Sequence, residues 1–151
     1  IDIGYGGDPI VPWAVCCDME AGSYTNVGTA PQHLGFDAGK LPFKDRTLSG
    51  VFNSHLIEDW DYSGQIALVG EWLRVLRYGG KLMILAPDQQ RFLAHCAATG
   101  QSVNDNHKEA DFSLATFKRR VLKVGNYHSR VRVIAETNFG DYSWGIIMEK
   151  L

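Results

Sequence analysis

The chain begins IDIGYGGDP (Ile1–Pro9). A short apolar strand pattern runs straight into Gly4, Gly6 and Gly7, with Asp2 ahead of them and Asp8-Pro9 behind. Glycine accepts positive φ and leaves no side chain between the backbone and whatever approaches it. Such a turn either closes a strand tightly or lets a ligand reach the main chain. Two phosphate-type readings fail on spacing. A dinucleotide fingerprint G-x-G-x-x-G counted from Gly4 needs glycine at position 9, where Pro9 stands, and the G-K-[ST] of a phosphate loop is absent. Pro9 therefore argues against a nicotinamide-dependent oxidoreductase.

Outward from this turn, apolar runs alternate with helical patterns. Ala14–Met19 (AVCCDM), Gln32–Phe36, Leu48–Asn53 (LSGVFN) and Lys81–Ala86 (KLMILA) read as buried strands. Ile66, Val69, Leu73 and Leu76 recur at helical spacing, and Gly79-Gly80 reads as the stop of that helix. A second helix is expected over Phe112–Val124, with Leu114, Phe117, Val121 and Val124 as its apolar stripe. Lys118, Arg119, Arg120 and Lys123 lie mostly off that stripe, as a solvated face or a basic patch for RNA. Ser129–Thr137 and Ser143–Met148 flank the turn-rich Asn138–Tyr142, which predicts an antiparallel pair. Strands alternating with helices imply an α/β fold built on a parallel sheet, and ligands bind such sheets at the carboxyl ends of the strands. Asp2, Asp18 and Asp37 then fall at or near the ends of three successive strands. That set suits a ligand with a ribose diol, an exocyclic amine and a positive charge.

Composition narrows the classes further. The 151 residues fit one domain, 45% are hydrophobic and 21% charged, and the net charge is -2. With a pI near 6.2 there is no electrostatic reason to expect nucleic acid or an anionic membrane as partner. No apolar run approaches the roughly 20 residues of a membrane span. Cys16, Cys17 and Cys96 show no C-x-x-C pair and no Cys/His metal spacing, so no metal is expected. They read as reduced, partly buried thiols of a cytoplasmic protein. The chain opens directly on a strand, which leaves room for a segment ahead of Ile1.

IDIGYGGDP, VCCDME, FDAGKLPFKDRTLSGVFNSHLIED and EWLRVLRYGGKLMILAPD together resemble the consecutive motifs of class I S-adenosylmethionine-dependent methyltransferases, in the methyltransferase type 11 subgroup. The resemblance runs from Ile1 to about Asp88. It implies a Rossmann-like, doubly wound seven-stranded sheet of order 3-2-1-4-5-7-6 with the last strand antiparallel. It also implies S-adenosyl-L-methionine as cofactor. Asp2, Gly4 and Gly6 match the first places of the family's D-x-G-x-G-x-G. Asp18 matches the acid that holds the ribose, with Met19 placed to pack on the base. Asp37 matches the acid near the adenine amine, with Ala38 supplying backbone. Asn53, Ser54 and His55 match the end of the fourth strand, beside the methionine part. The chain departs from the pattern at Asp8, where the last glycine would fall, and at Tyr5, usually a small residue. Ser49 replaces an acid common before the fourth strand, and the helices that usually precede the first strand are missing.

Methyl transfer leaves little catalytic signature, because the sulfonium methyl is already electrophilic and the protein mainly aligns and desolvates. No N-P-P-Y-type run and no Pro-Cys nucleophile site appear, which lowers nucleic-acid substrates. His55 is the candidate base, or a residue that shapes the pocket by hydrogen bonds. Glu58, Asp59 and Trp60 sit at the mouth, or form an acidic helix start. Gln89–His107 reads as a long connection whose polar second half suits a substrate loop or a tolerated insertion, and a hydroxylated, sugar-like small molecule would fit it. The expectation is methyl transfer to a small-molecule acceptor. The alternative is a module of the same fold that has lost the cofactor, for which Asp8, Tyr5 and the missing helices speak. A sheet edge formed by the last strands could pair with a second copy.

Overall fold

The computed structural model describes residues 1–6, 9, 11–19 and 32–151. Its strands are β1 (Asp2–Ile3), β2 (Cys16–Asp18), β3 (Leu34–Gly35), β4 (Leu48–Ser54), β5 (Leu76–Pro87), β6 (Val131–Asn138) and β7 (Ser143–Lys150). They form one sheet of order β3-β2-β1-β4-β5-β7-β6. The pairs from β3 to β5 are parallel, and β7 runs antiparallel to both neighbours. This is the expected order and direction. The short Asn138–Tyr142 turn leaves no room for the crossover that a parallel pair needs.

Helix α1 (Tyr62–Val75) starts where the Asp61 side chain accepts from the Gly64 amide at 2.7 Å. Its Leu68, Val69, Trp72 and Leu73 are buried against Val51 of β4, Leu82 and Ile84 of β5, and Ile146 and Met148 of β7. Along β5 the alternate residues Leu82, Ile84 and Ala86 are fully buried, while Met83 and Leu85 between them are half-buried. The deep core therefore lies on one face of the sheet.

Three local expectations are corrected. The first helix does not run to Gly79-Gly80. It ends at Val75, and Leu76 already belongs to β5. The glycines sit instead in an irregularity of the β4–β5 pairing, where the register jumps from Leu48–Leu76 to Gly50–Lys81 and Gly79 takes φ +72°. The apolar stripe of the second helix is also displaced. Helix α3 (Leu114–Thr116) continues as a π-helical stretch, Phe117–Lys123. The wider turn buries Val121 together with Leu122 and leaves Val124 70% exposed. Finally, Gln89–His107 is not all connection. Its first part is helix α2 (Gln89–Thr99), capped by Asp88 and closed by Gly100 at φ +75°.

Candidate functional site

At the carboxyl ends of β1, β2 and β4 lies a cleft of about 530 Å³. It sits where the strand order reverses between β1 and β4, the place where sheets of this kind leave a crevice. Its floor is the turn after β1. Gly4 (φ +65°) and Gly6 (φ +56°) both need the left-handed conformation, and a Cβ on Gly4 would come within 2.7 Å of the Leu56 side chain. Asp18, the last residue of β2, turns into the same cleft. Its carboxylate accepts from the Met19 amide at 2.8 Å and, more loosely, from the Gly6 amide at 3.4 Å. Met19 is 57% exposed at the rim.

The loop after β3 supplies Phe36, Asp37 and Ala38. The Asp37 carboxylate accepts from the Gly39 amide at 2.7 Å, which fixes the turn. Helix α1 holds this loop from behind. Trp72 Nε1 donates to the Ala38 carbonyl at 3.0 Å, Glu71 accepts from the Leu41 amide at 2.7 Å, and Arg74 donates to the Leu41 and Phe43 carbonyls. Arg74 beside it holds the Glu71 carboxyl below its ordinary range.

After β4 the chain makes a short 3₁₀ turn, Ile57–Asp59. His55 enters it with φ +51°, a strained conformation for a residue with a Cβ. His55, Leu56, Asp59 and Trp60 line the cleft on this side. Burial, reinforced by the neighbouring Glu58 charge, pushes the Asp59 carboxyl up to about 6. Glu58 does not stand at the mouth, because the turn points it inward, where only 1% of it is exposed. Neither carboxylate oxygen has a hydrogen-bond partner among the described residues. Oε1 lies 3.4 Å from His55 Nδ1 and 3.8 Å from His107 Nε2. His107 Nδ1 in turn meets Gln89 Oε1 at 2.7 Å. Burial outweighs the Glu58 charge and lowers the His107 pKa.

Of the ten residues expected here, Gly4, Gly6, Asp18, Met19, Asp37, Ala38 and His55 line the cleft. Asp2, Asn53 and Ser54 are not among the lining residues. Asp2 is fully buried in β1, and the Asn53 amide donates to the Ile3 carbonyl at 3.1 Å across the β1–β4 pair. The Tyr5 side chain is 5% exposed and is not among the lining residues either. Asp8 lies outside the described residues. Asn104 and Asn106, within the segment read as a substrate loop, wall this cleft, and Lys108 just beyond that segment is the one the sequence reading missed. The polar second half of Gln89–His107 was the signal for the two asparagines.

A scan of protein-family models finds no match, and no curated protein matches the chain. Solved structures do match. A SAM-dependent methyltransferase from Aquifex aeolicus superposes with a TM-score of 0.61 at 14% identity, over 99% of this chain and 80% of its own. A protein of Pyrococcus horikoshii OT3 gives 0.60 at 18% identity, over 82% of this chain and 63% of its own. The chain thus spans less than two thirds of the Pyrococcus protein. Magnesium protoporphyrin IX methyltransferase from Synechocystis PCC 6803, solved with bound SAH, gives 0.54 at 12% identity, over 83% of this chain and 53% of its own. At these identities the likeness is one of fold. The sheet is that of the class I S-adenosylmethionine-dependent methyltransferases. No helix among the described residues is long and apolar enough to cross a membrane.

Proposed function

We propose that the chain binds S-adenosylmethionine in the 530 Å³ cleft and transfers its methyl group to a small hydroxylated acceptor. One observation carries the reading. Asp18, Asp37 and the Gly4–Gly6 turn come from three different strand ends and line one cleft at the reversal point of a methyltransferase-type sheet. The residues fit the cofactor. Asp18 accepts from the ribose diol, and Met19 lies at the rim to cover the base. Asp37 accepts from the adenine amine beside the Ala38 backbone. The bare Gly4 and Gly6 backbone lets the amino-acid end approach. Asp2 and Asn53 support this floor from within the sheet, and Ser54 ends the strand beside it.

When bound, the cofactor supplies a methyl group made electrophilic by its sulfonium. The chain's own groups bind, orient and exclude water. Leu56 and Trp60 close the cleft wall, and His55 at its edge takes the acceptor proton. The cysteines Cys16, Cys17 and Cys96 are buried and free, which favours a reducing compartment such as the cytoplasm.

Calorimetric titration with S-adenosylmethionine and S-adenosylhomocysteine tests the reading. Binding in the micromolar range is expected. No binding of either at millimolar concentration would replace it with a partner module that uses the same fold without the cofactor.

A further inference from the structure

Beside the cleft lies a second, smaller cavity of about 180 Å³. His55 and Asn104 line both, so the imidazole stands between the two spaces. Rings form one side of it. Tyr142 meets Phe92 edge to face at 5.1 Å between centroids, and Phe92 meets His107 at a tilt at 5.0 Å. The exposed polar residues Gln101, Ser102 and Asn104 also line it, and Asn104 Oδ1 accepts from the Asn106 amide at 3.0 Å. Glu58 lines the cavity too, 1% exposed and without a hydrogen-bond partner among the described residues.

An unpartnered buried carboxylate costs stability unless a positive charge or a proton donor answers it. Here it stands 3.4 Å from Nδ1 of His55. At that distance and without a hydrogen bond, the carboxylate acts through its charge and stabilises the imidazolium that forms when the far nitrogen takes a proton. This arrangement discriminates among acceptors. An amine beside Glu58 would be held as an ammonium, whose lone pair is blocked. A carboxylate acceptor would meet like charge. A purely apolar ring would displace water from the exposed Gln101, Ser102 and Asn104 side chains and give them no hydrogen bond in return. A ring with one flat face for Tyr142 and Phe92 and several hydroxyls for the amides answers every group.

We propose that this cavity is the acceptor subsite and takes a single polyhydroxylated ring of the sugar class, with one hydroxyl at His55 and the Glu58 charge stabilising the imidazolium. The proposal rests on the methyl-transfer reading. The acceptor oxygen bonds to the methyl carbon as the carbon–sulfur bond breaks, with its electron pair left on sulfur. The hydroxyl proton passes to Nε2 of His55. Glu58 is a positioning residue.

The test is ligand-observed saturation-transfer NMR on protein loaded with S-adenosylhomocysteine. The probes are methyl α-D-glucopyranoside, methyl β-D-galactopyranoside and methyl α-L-rhamnopyranoside, with phenol and cyclohexylamine as the aromatic and amine arms. At least one pyranoside is expected to bind at millimolar concentration. Tyr142→Ala and the exposed-site variant Gln101→Ala should each weaken it roughly fivefold or more, with S-adenosylhomocysteine affinity unchanged. With the bound pyranoside as acceptor, Glu58→Gln should lower kcat about tenfold or more and leave pyranoside affinity unchanged, a split that a general loss of structure would not give. Preference for phenol or cyclohexylamine overturns the proposal. So does pyranoside binding indifferent to both cavity variants, or no probe binding to the loaded protein. Failure to bind S-adenosylhomocysteine at all would instead defeat the methyl-transfer reading. Pyranoside binding by such a protein would leave a sugar site that is not an acceptor subsite.

Discussion

The ammonium nitrogen of Lys150 lies 2.6 Å from the carbonyl oxygen of Leu73 and 2.7 Å from that of Leu76. The last residue of β7 thus closes the end of α1, some 75 positions earlier in the chain. Helix ends leave carbonyls without partners, and a buried cation satisfies two of them here. Burial, with Arg46 and Arg130 behind it, lowers the Lys150 pKa. The side chain is 7% exposed.

Removing that cation should therefore be costly. Lys150→Met keeps the volume and strands both carbonyls, and should lose about 2–3 kcal/mol of unfolding free energy. Urea denaturation read by circular dichroism measures it. A loss under about 0.5 kcal/mol would mean that water replaces the ammonium freely.

Asp18 should matter to ligand and little to fold. Its carboxylate is tied only to the adjacent Met19 amide and, at 3.4 Å, to Gly6. A carboxylate accepting from two hydroxyls contributes about 1.5–3 kcal/mol per bond. Asp18→Ala should then weaken S-adenosylhomocysteine binding at least about tenfold while the melting temperature barely moves. Unchanged affinity in a folded variant would remove Asp18 from the site.

Gly4→Ala should damage both. The added Cβ would sit 2.7 Å from Leu56 Cδ2, and a left-handed φ of +65° costs a non-glycine residue roughly 1–2 kcal/mol. The double variant Gly4→Ala/Leu56→Ala relieves the contact and leaves the φ penalty. Thermal melts of the two variants should therefore differ. Equal melts would show that strain in the backbone is the whole effect.

Asp59 makes stability depend on pH. Its carboxyl is raised from an ordinary 3.8 to about 6, so the fold favours the protonated form. That stabilisation is complete below the unfolded value near 4 and is lost as pH rises through about 6. Asp59→Asn is neutral throughout. It should be more stable than the parent by about 1–2 kcal/mol at pH 7.5 after solvent screening, and equal to it near pH 4. Urea midpoints at the two pH values measure the difference. A constant offset between the two proteins would contradict the linkage.

The sheet order followed from the family resemblance, while sequence alone determined the antiparallel end and the residues at the strand ends. Those last two properties are local. An apolar run such as KLMILA, a turn such as Asn138–Tyr142 and an acid such as Asp18 at the close of a run each declare themselves within a few positions. Tertiary structure decided where α1 stops, because the group that satisfies its carbonyls arrives from Lys150. It decided that Val124 faces out and Leu122 in, since the π-helical turn changes the period of the stripe. It also decided that Tyr5 is buried away from the cleft and that Glu58 is buried beside His55 and His107. The burial of one polar side chain depends on which distant segments pack over it, and no local pattern carries that information.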